Sequence, residues 1–400
     1  MDLIDSIAAA LGATTAPPSG HGSGHGSGRG PGRRPGHRRL VLPLLPGEPR
    51  TPLTVHVIAG ATPPARIVFL FPGGGLNVLA NFCTAARRSL AEVLVERGCL
   101  VVGVDPREDG VDPADPDPAC ARWGLAAHRA DADRVVAGVV AAVGLPYEVL
   151  GHSAGAAVAL DLAAYRAWDV RLERVLVLDT TGPYDAEVEP ELVERARGLA
   201  SAMRELLAAG TTTVDPGLRG LFARAVADPD GDSPVPRPAA AGGGFVSNRG
   251  LVHLALTRTA ELPGAANWVY HHGLSSGDYE FGAARELDRF RLDRSPFEVW
   301  AAAVRELGSG VQPVALLRDL AAVWGGWAEV YGIDWSAVRA EVVWVNAEGG
   351  RGDHDLGARR LAEAGASVDY RVVPGYGHGD VVWAVDAEQQ VWRRLLSRRG

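Results

Sequence analysis

Short apolar runs separated by segments with helical spacing fill the first half of the chain and return near its C-terminus. Leu40–Leu45 and Leu53–Ala59 have the pattern of two antiparallel edge strands. Further strands are predicted at Arg66–Phe71, Cys99–Val104, the apolar run before Gly151, Arg174–Leu178, Glu341–Asn346 and Val368–Val373. Helices are predicted at Asn81–Arg97, Leu125–Val143, Asp355–Ala364 and Ala387–Leu396. Strands that alternate with helices in this way predict an α/β fold, with a mostly parallel sheet covered by helices on both faces.

The alternation stops between the two parts of this sheet. From about residue 183 to 339 the spacing is mostly helical, with a glycine- and proline-rich break at Asp228–Gly244. Helices are predicted here at Pro190–Ala209, Gly217–Ala227, Gly250–Leu262, Pro296–Leu307 and Pro313–Tyr331. An insertion far longer than an ordinary loop predicts a helical cap over the edge of the sheet. We therefore expect a core formed by residues 40–182 and 340–400, and a cap at 183–339.

The first 39 residues have a different character. Asp2–Leu11 is predicted to form a short amphipathic helix that docks on the main body. Ser19–Arg39 is rich in Gly, His, Ser and Arg and has almost no apolar residues, which predicts a flexible linker. Its histidines (His21, His25 and His37) are potential metal ligands, but a solvated segment is favoured because no rigid scaffold surrounds them.

The composition excludes some classes of function but does not identify the function itself. The chain has 400 residues, a net charge of −8 and a pI near 5.8, so it lacks the basic surface expected for binding nucleic acid or anionic membranes. The three cysteines (Cys83, Cys99 and Cys120) have no metal-ligand spacing, and neither a metal nor a cofactor is predicted. The N-terminus lacks a basic n-region, and no apolar run approaches the roughly 18 residues of a membrane span. We expect a cytoplasmic protein whose partner is a small molecule, and the sequence leaves its oligomeric state open.

The segment from Tyr147 to Gly155 holds the strongest chemical signal. A strand-like run meets Gly151-His152-Ser153-Ala154-Gly155, and a helix of small residues follows. A Gly-x-Ser-x-Gly sequence between a strand and a helix is the pattern of a nucleophile elbow, in which a tight, strained turn lifts the serine above the sheet. A glycine-rich turn without function is the alternative, and the flanking strand and helix argue against it. Ser153 is the predicted nucleophile.

A serine hydroxyl needs a base, and the expected chain order of such a triad is Ser, acid, His. His378 stands in a glycine-rich loop directly after the last predicted strand, Val368–Val373. In that position it is able to reach the edge of the sheet where Ser153 is expected. A surface histidine is the alternative, and we predict that His378 is the base.

The acid that orients the base is less well defined. The loop after Glu341–Asn346 contains Glu348, Asp353 and Asp355, and Asp353 is the leading candidate because it lies where the glycine-rich turn ends. Asp355 is also suited to cap the next helix. Asp179, directly after an earlier strand, is the remaining alternative, although an acid at that strand end is often structural.

The oxyanion hole requires two backbone N–H groups. One is predicted at Ala154, immediately after the nucleophile, and the other at Gly74 or Gly75 in the turn Pro72-Gly73-Gly74-Gly75. Phosphate binding is the competing interpretation of this turn. It is disfavoured because the Walker lysine is missing and the glycines do not match the dinucleotide fingerprint.

Together these residues resemble the α/β-hydrolase superfamily from Leu40 to the C-terminus. Two further motifs resemble its acid-lipase-like branch and the hydrolase domains associated with cholesterol oxidase. In the cap, Asn267-Trp268-Val269-Tyr270-His271 precedes Ser276-Gly277-Asp278-Tyr279. At the C-terminus, Gly375-Tyr376-Gly377-His378-Gly379-Asp380 is followed by Asp386-Ala387. The family often has histidine where this chain has Pro72, and extra helices follow the Ser-Gly motif, so the resemblance does not transfer a substrate.

The sequence thus predicts a serine hydrolase that cleaves an ester, lactone or thioester of a bulky apolar substrate through an acyl-enzyme. The predicted substrate contacts in the cap are Trp268, His271, Tyr279 and Phe281, although aromatic residues at helical spacing are often only core. One alternative keeps the site but directs acyl transfer, cyclisation or carbon–carbon bond formation in secondary metabolism. A second is a ligand-binding protein of the same fold without catalysis.

Overall fold

The fold is taken from a computed structural model that describes residues 3–16, 36–43 and 51–398. Most of the predicted linker (residues 19–35), as well as Leu44 and Leu45 of the first predicted strand, lies outside the described residues. No helix among the described residues is long and apolar enough to span a membrane. In the same part of the chain, no group of three or more His, Cys, Asp or Glu side chains is arranged to hold a metal ion.

A central sheet organises the molecule. Its strands are β1 (Thr14–Thr15), β2 (His37–Val41), β3 (Thr54–Ile58), β4 (Arg66–Phe71), β5 (Cys99–Val104), β6 (Tyr147–His152), β7 (Leu172–Leu178), β8 (Glu341–Ala347) and β9 (Val368–Val373). Within the described residues, nine strands form this sheet in the order β1-β2-β3-β5-β4-β6-β7-β8-β9. The pairs β1–β2, β2–β3 and β3–β5 are antiparallel. The remaining neighbours, from β5–β4 through to β8–β9, are parallel. The predicted, mostly parallel sheet is confirmed, including the two antiparallel strands at its edge.

Alternating side chains of the central strands enter two apolar layers. Phe69 and Val149 pack in the layer on one side of the sheet, and Val68 and Leu150 pack in the layer on the other side. The helices are α1 (Leu3–Leu11), α2 (Val78–Phe82), α3 (Leu90–Glu96), α4 (Leu125–Val143), α5 (Ala154–Tyr165), α6 (Pro190–Ala208), α7 (Leu218–Ala227), α8 (Asn248–Thr257), α9 (Phe297–Glu306), α10 (Val314–Trp324), α11 (Leu356–Glu363), α12 (Asp380–Trp383) and α13 (Arg393–Leu395). Because successive side chains of a strand point to opposite faces, these residues are buried only if helices cover both faces.

One predicted helix is divided in two. The segment predicted as Asn81–Arg97 forms α2 and α3, which are separated by residues 83–89. Ser89 begins α3 with a capping box, since its side chain accepts from the N–H of Glu92 while the Glu92 carboxylate accepts from the N–H of Ser89. The new start at Ser89 turns the chain back toward β5. The last predicted helix is likewise divided, into a π-helical turn at Glu388–Trp392 followed by α13.

The long insertion lies between β7 and β8, which are neighbours in the sheet. It contains α6 to α10 and three short two-stranded sheets: Thr213–Val214 with Gln312–Pro313, Asp232–Pro236 with Phe245–Ser247, and Gly277–Glu280 with Arg289–Leu292. We call residues 183–339 the cap. The five helices α6 to α10 lie in the predicted helical insertion, and its three short two-stranded sheets were not predicted.

The N-terminal helix docks as its amphipathic pattern predicted. Ile4, Ile7 and Leu11 of α1 are buried in the main core. Leu11 lies against Gly138 of α4, where an added Cβ would come within 2.6 Å of its side chain. Beyond α1, β1 adds to the antiparallel edge of the sheet through β2.

Candidate active site

Ser153 occupies the turn between β6 and α5 at the centre of the parallel sheet. Its backbone has φ 56° and ψ −120°, a conformation that L-residues rarely adopt. Its N–H donates to the carbonyl of Leu178, and its side chain is 8% exposed. Because Ser153 precedes the first turn of α5, the amide of Ala154 is one of the helix N–H groups that have no intrahelical partner.

The glycines of the elbow have steric reasons to be there. A Cβ on Gly151 would lie 2.1 Å from the carbonyl oxygen of Gly155, and a Cβ on Gly155 would lie 2.0 Å from that of Phe71. No side chain is tolerated at such distances, so any other residue would force the turn apart. The predicted strained elbow is therefore present.

His378 meets a carboxylate from a different strand than predicted. Its Nδ1 donates to Oδ2 of Asp179 at 2.5 Å, and both side chains are buried. Asp179 directly follows β7 and has φ 44°. The N–H groups of Ala347 and Arg351 donate to the same carboxylate at 2.6 and 3.2 Å, which fixes its orientation toward the imidazole. Because Nδ1 carries the proton in this pair, Nε2 of His378 is left as the basic nitrogen.

The prediction that Asp353 is the acid is wrong. Asp353 is exposed, and its carboxylate interacts with Tyr370 instead of His378. Glu348 accepts from the N–H of Gly375, and Asp355 pairs with Arg359 at the start of α11. The glycine-rich loop that carries these candidates has another role. A Cβ on Gly350 would lie 2.2 Å from Oδ2 of Asp179, so this glycine leaves space for the acid.

The turn after β4 lies beside the elbow. A Cβ on Gly73 would come within 3.3 Å of the Cβ of Ser153, and one on Gly74 within 3.6 Å of the Cβ of Ala154. The N–H of Gly73 donates to Asn81. The N–H groups of Gly74 and Gly75 make no hydrogen bond among the described residues, so both remain available to an oxyanion, together with the amide of Ala154. The structure thus places Gly74 beside Ala154, whereas the space around Gly75 is bounded by Gly310 and Gln312 of the cap.

The base and the nucleophile belong to adjoining segments, although they share no hydrogen bond. Within the described part of the chain, the hydroxyl of Ser153 has no hydrogen-bond partner. The ring of the preceding residue, His152, lies 4.7 Å from that of His378 and is tilted by 31° from it. A loose contact between nucleophile and base is common before substrate binds.

His152 and Asn81 link the oxyanion turn to the loop of the base. Nε2 of His152 donates to the carbonyl of His378 at 3.1 Å, so its Nδ1 is the acceptor and faces the Asn81 amide at 3.2 Å. Oδ1 of Asn81 in turn accepts from the N–H of Gly73 at 2.8 Å. Burial lowers the pKa of His152 to about 3, which keeps this ring neutral. Neither residue was predicted, although His152 lies within the elbow motif.

The similarity of this chain to known proteins lies in its fold. No protein-family model matches the sequence, and no curated protein matches it. Among solved structures, a proposed lipase from Sulfolobus solfataricus superimposes with a TM-score of 0.61 at 16% identity, over 89% of this chain and 91% of that one. The chain has the α/β-hydrolase fold.

Other similar structures align less closely. A carboxyl esterase from Bacillus coagulans gives a TM-score of 0.48 at 14% identity, over 85% of this chain and 90% of that one. A thioesterase domain from the curacin biosynthetic pathway gives 0.45 at 14% identity, over 90% and 99%. These scores are too low to inform the function. The narrower resemblance to the acid-lipase-like branch stays a prediction.

Within this α/β-hydrolase fold, aromatic residues of the cap lie over the base. The Tyr270 ring lies 5.0 Å from the His378 ring, and the Arg351 guanidinium lies 5.0 Å from both the Tyr270 and Trp324 rings. Trp268, a predicted substrate contact, adjoins Trp324 with ring centroids 6.5 Å apart. Tyr270 and Arg351 were not predicted as site residues, although Tyr270 stands between the predicted contacts Trp268 and His271.

The other predicted substrate contacts are more distant from the base. His271 is exposed and contacts His354 at 3.2 Å in the loop that follows β8. Tyr279 and Phe281 pack against each other in a separate apolar cluster inside the cap, and the hydroxyl of Tyr279 donates to Asp288. The assignment of these two aromatic residues to substrate binding is corrected, because they form cap core.

A cavity of about 580 Å³ lies beside the start of α2, at Asn77 and Leu79. Asn77, Asp105, Asp109, Asp112 and Leu307 are among its lining residues, and none of the triad side chains borders it. Its acidic wall is separate from the reacting groups, so we assign it no part in the chemistry.

Proposed function

We propose that this protein is a serine hydrolase that cleaves a carboxylic ester or thioester through an acyl-enzyme. The observation that carries the proposal is the buried Asp179–His378 hydrogen bond beside a strained serine and the unpaired amides of Gly74 and Ala154. A serine, an oriented imidazole and preorganised amides are the groups that acyl transfer requires.

In the proposed reaction, Oγ of Ser153 forms a bond to the acyl carbon while Nε2 of His378 takes the hydroxyl proton. The developing oxyanion accepts from the amide of Ala154 and from that of Gly74 or Gly75. The bond from the acyl carbon to the leaving alcohol or thiol then breaks, and His378 returns its proton to the leaving group. Water repeats the sequence on the acyl-enzyme and releases the acid, while Asp179 stabilises the imidazolium that forms in each half.

The apolar part of the proposed substrate is assigned to the aromatic residues near the base. Tyr270 borders His378, and Trp324 and Trp268 continue the aromatic surface from Arg351 into the cap. Aromatic rings at such a position favour an apolar or ring-bearing group next to the scissile bond.

The test is labelling and turnover by the purified full-length protein. A fluorophosphonate probe is expected to modify Ser153, and Ser153→Ala is expected to lower kcat for para-nitrophenyl esters at least about 10³-fold. Serine hydrolysis is refuted if Ser153→Ala retains the full rate. Product masses measured in the presence of an added alcohol distinguish hydrolysis, which adds water to the acyl group, from transfer to the alcohol.

A further inference from the structure

Arg351 is a buried cation beside the proposed triad with no carboxylate of its own. Its backbone N–H donates to both oxygens of Asp179 at 3.2 Å, which fixes the residue next to the base. Its guanidinium lies against the rings of Tyr270 and Trp324, 5.0 Å from each centroid. The residue is only 5% exposed, so water does little to solvate its charge.

The other buried arginines of the described chain differ from Arg351 in their pairing. Each of them makes two or more hydrogen bonds to carboxylates: Arg107 to Asp131, Arg166 to Asp133 and Asp169, Arg174 to Glu148, and Arg237 to Asp288. Nε and Nη1 of Arg351 have no partner, and no ion pair joins its guanidinium to any residue that the structure describes. A buried charge without such partners is costly, and the fold pairs its other buried arginines.

A second unpaired donor belongs to a side chain that contacts Arg351. Nε1 of Trp324 is buried and has no hydrogen-bond partner among the described residues. The carboxylate of Asp179 does not serve these donors, because it accepts from His378, Ala347 and the Arg351 backbone instead. The donors that remain next to the proposed site require an acceptor from outside the chain.

We propose that Arg351 binds a carboxylate of the substrate, so that the hydrolase acts on esters or thioesters that carry a free carboxylate beside an apolar segment. This inference rests on the proposed function and specifies its substrate class. One guanidinium matches one negative charge, and a doubly charged phosphate would keep an uncompensated charge in a buried setting. The Tyr270 ring lies 5.0 Å from both the Arg351 guanidinium and the His378 ring, so the bound carboxylate would lie close to the reacting carbonyl.

The test compares pairs of para-nitrophenyl esters that differ only in one terminal group. Butyrate is paired with the succinate monoester, hexanoate with the adipate monoester, and octanoate with the suberate monoester, each rate being corrected for spontaneous hydrolysis. For at least one chain length, the wild-type protein is expected to show a kcat/KM about tenfold or more higher for the carboxylate ester. Arg351→Gln is expected to lower this preference about 10- to 100-fold, mainly through KM, and to change the rate with the neutral ester far less.

Arg360→Gln is the matched control. Arg360 lies in α11, nine residues along the chain, and is exposed, so its replacement removes the same charge without touching the site. Its ester preference should equal that of the wild type. Arg351→Lys keeps a point charge without the planar guanidinium and is expected to retain part of the preference.

Two kinetic results would overturn the proposal. One is a wild-type protein that shows no preference for the carboxylate ester at any chain length, which decides the matter even if the Arg351 variants do not fold. The other is an Arg351→Gln variant that loses the same factor with both esters of each pair, as expected if Arg351 only supports Asp179 and His378.

A binding measurement separates this proposal from the proposed function. Monomethyl adipate is expected to raise the Tm of the Ser153→Ala protein, and to leave the Tm of the Ser153→Ala, Arg351→Gln double variant unchanged. A shift in the single variant together with full ester turnover would reject the serine mechanism but keep the carboxylate site. Turnover that depends on Ser153 without any such shift would keep the mechanism and reject the carboxylate site.

Discussion

Two residues share an unusual backbone conformation, and both belong to the proposed triad. Among the described residues, Ser153 and Asp179 are the non-glycine residues with positive φ, at 56° and 44°. Conformations of this kind cost about 1–3 kcal/mol each and persist where the surrounding structure holds them. Strain at the ends of β6 and β7 therefore marks the site independently of any sequence motif.

The sequence predicted Ser153 and His378 for the triad, and the structure places them in adjoining segments, but the carboxylate that contacts His378 is Asp179 and not the favoured Asp353. The elbow could be predicted because Gly151 and Gly155 are required by contacts within their own turn. The acid could not be predicted in this way, because Asp179 and Asp353 both follow strands. They differ in burial, and tertiary packing decides which of the two is buried. The signal for Asp179 was its place directly after an apolar run, since aspartate tolerates a positive φ better than most residues.

Replacing the two carboxylates separately tests this correction. Asp179→Asn is expected to lower kcat about 10⁴-fold, the loss seen when an amide replaces the acid of a serine triad, because Nδ1 of His378 would lose its acceptor. Asp353→Asn is the matched control and is expected to keep nearly the full rate, since Asp353 is exposed and contacts Tyr370. Both kcat values are measured with the same chromogenic ester. Equal losses in the two variants, or a larger loss in Asp353→Asn, would contradict the assignment.

Because Arg351 is positively charged, its replacement by a neutral residue should shift the pH dependence of kcat/KM. Burial raises the pKa of Asp179 to about 6 and lowers the pKa of His378 well below 6.5, while Arg351 lowers both. Activity needs the ionised acid with the neutral base, so kcat/KM should fall as the pH drops through about 6. Removing the cation in Arg351→Gln raises both pKa values, and this acid limb should move to higher pH.

The pH profile is measured with a neutral ester, so that the substrate charge does not titrate. Arg360→Gln, which removes an exposed positive charge, should leave the acid limb in place. A limb that stays fixed in Arg351→Gln would show that Arg351 exerts no field on the pair.

At the scale of elements, the inner strands and several helices were predicted to within one or two residues. The bounds of β4, β5, β9 and α4 coincide with those predicted. β4 and β5 are almost wholly buried apolar runs, so the pattern marks their ends clearly. The division of the predicted helix into α2 and α3 was missed, although Ser89 and Glu92 have capping-box spacing. Tertiary packing of each half against a different neighbour then determines where the chain turns.

The path from Gly73 through Asn81 and His152 to His378 connects three elements of the site. Asn81→Leu removes the acceptor for the Gly73 N–H and the donor for His152, so the oxyanion turn loses its attachment to the elbow. We expect kcat to fall about tenfold or more with little change in KM, because the amides act on the transition state. Steady-state kinetics on a neutral ester, together with the Tm, provide the measurement.

Asn81→Asp serves as the comparison for this path. The aspartate keeps an oxygen for the Gly73 N–H but, when ionised, donates nothing to Nδ1 of His152. It should therefore recover part of the lost kcat. If Asn81→Leu lowers only the Tm and leaves kcat intact, the path is structural and does not position the oxyanion turn.

At the scale of the whole molecule, the cap is attached to the core through the loop of the base. The N–H of His378 donates to the carbonyl of Gly273, and the N–H of Gly379 donates to that of Leu274. A Cβ on Gly377 would lie 2.6 Å from the backbone of Ser275, so the two segments pack at backbone contact. The Ser-Gly motif of the cap and the Gly-His-Gly-Asp motif of the C-terminus, which the sequence showed only as separate similarities, are thus the two halves of one joint.

Asp380 also belongs to this joint, and its replacement allows the contribution of the joint to the free energy of unfolding to be measured. Its carboxylate is fully buried and accepts from the hydroxyls of Ser275 and Ser295 and from the N–H groups of Ser276 and Gly377. Asp380→Asn keeps the shape but replaces one acceptor oxygen with an amide that faces donors. The amide is best tolerated where it faces the two serine hydroxyls, which would then have to accept from it, and all four donors lose a charged acceptor. The free energy of unfolding should therefore fall by about 3 kcal/mol or more. The loop of His378 would loosen as well, so kcat should fall with it.

Asp293→Asn is the control that isolates the joint from a general loss of negative charge. Asp293 is also near the joint, but its side chain is 41% exposed and pairs with the exposed Arg291, so its replacement should cost at most about 1 kcal/mol. Urea unfolding of both variants gives the two free energies on the same scale. A cost for Asp380→Asn no greater than that for Asp293→Asn would mean that the cap is held elsewhere. A large cost with an unchanged kcat would mean that the joint stabilises the protein without positioning the base.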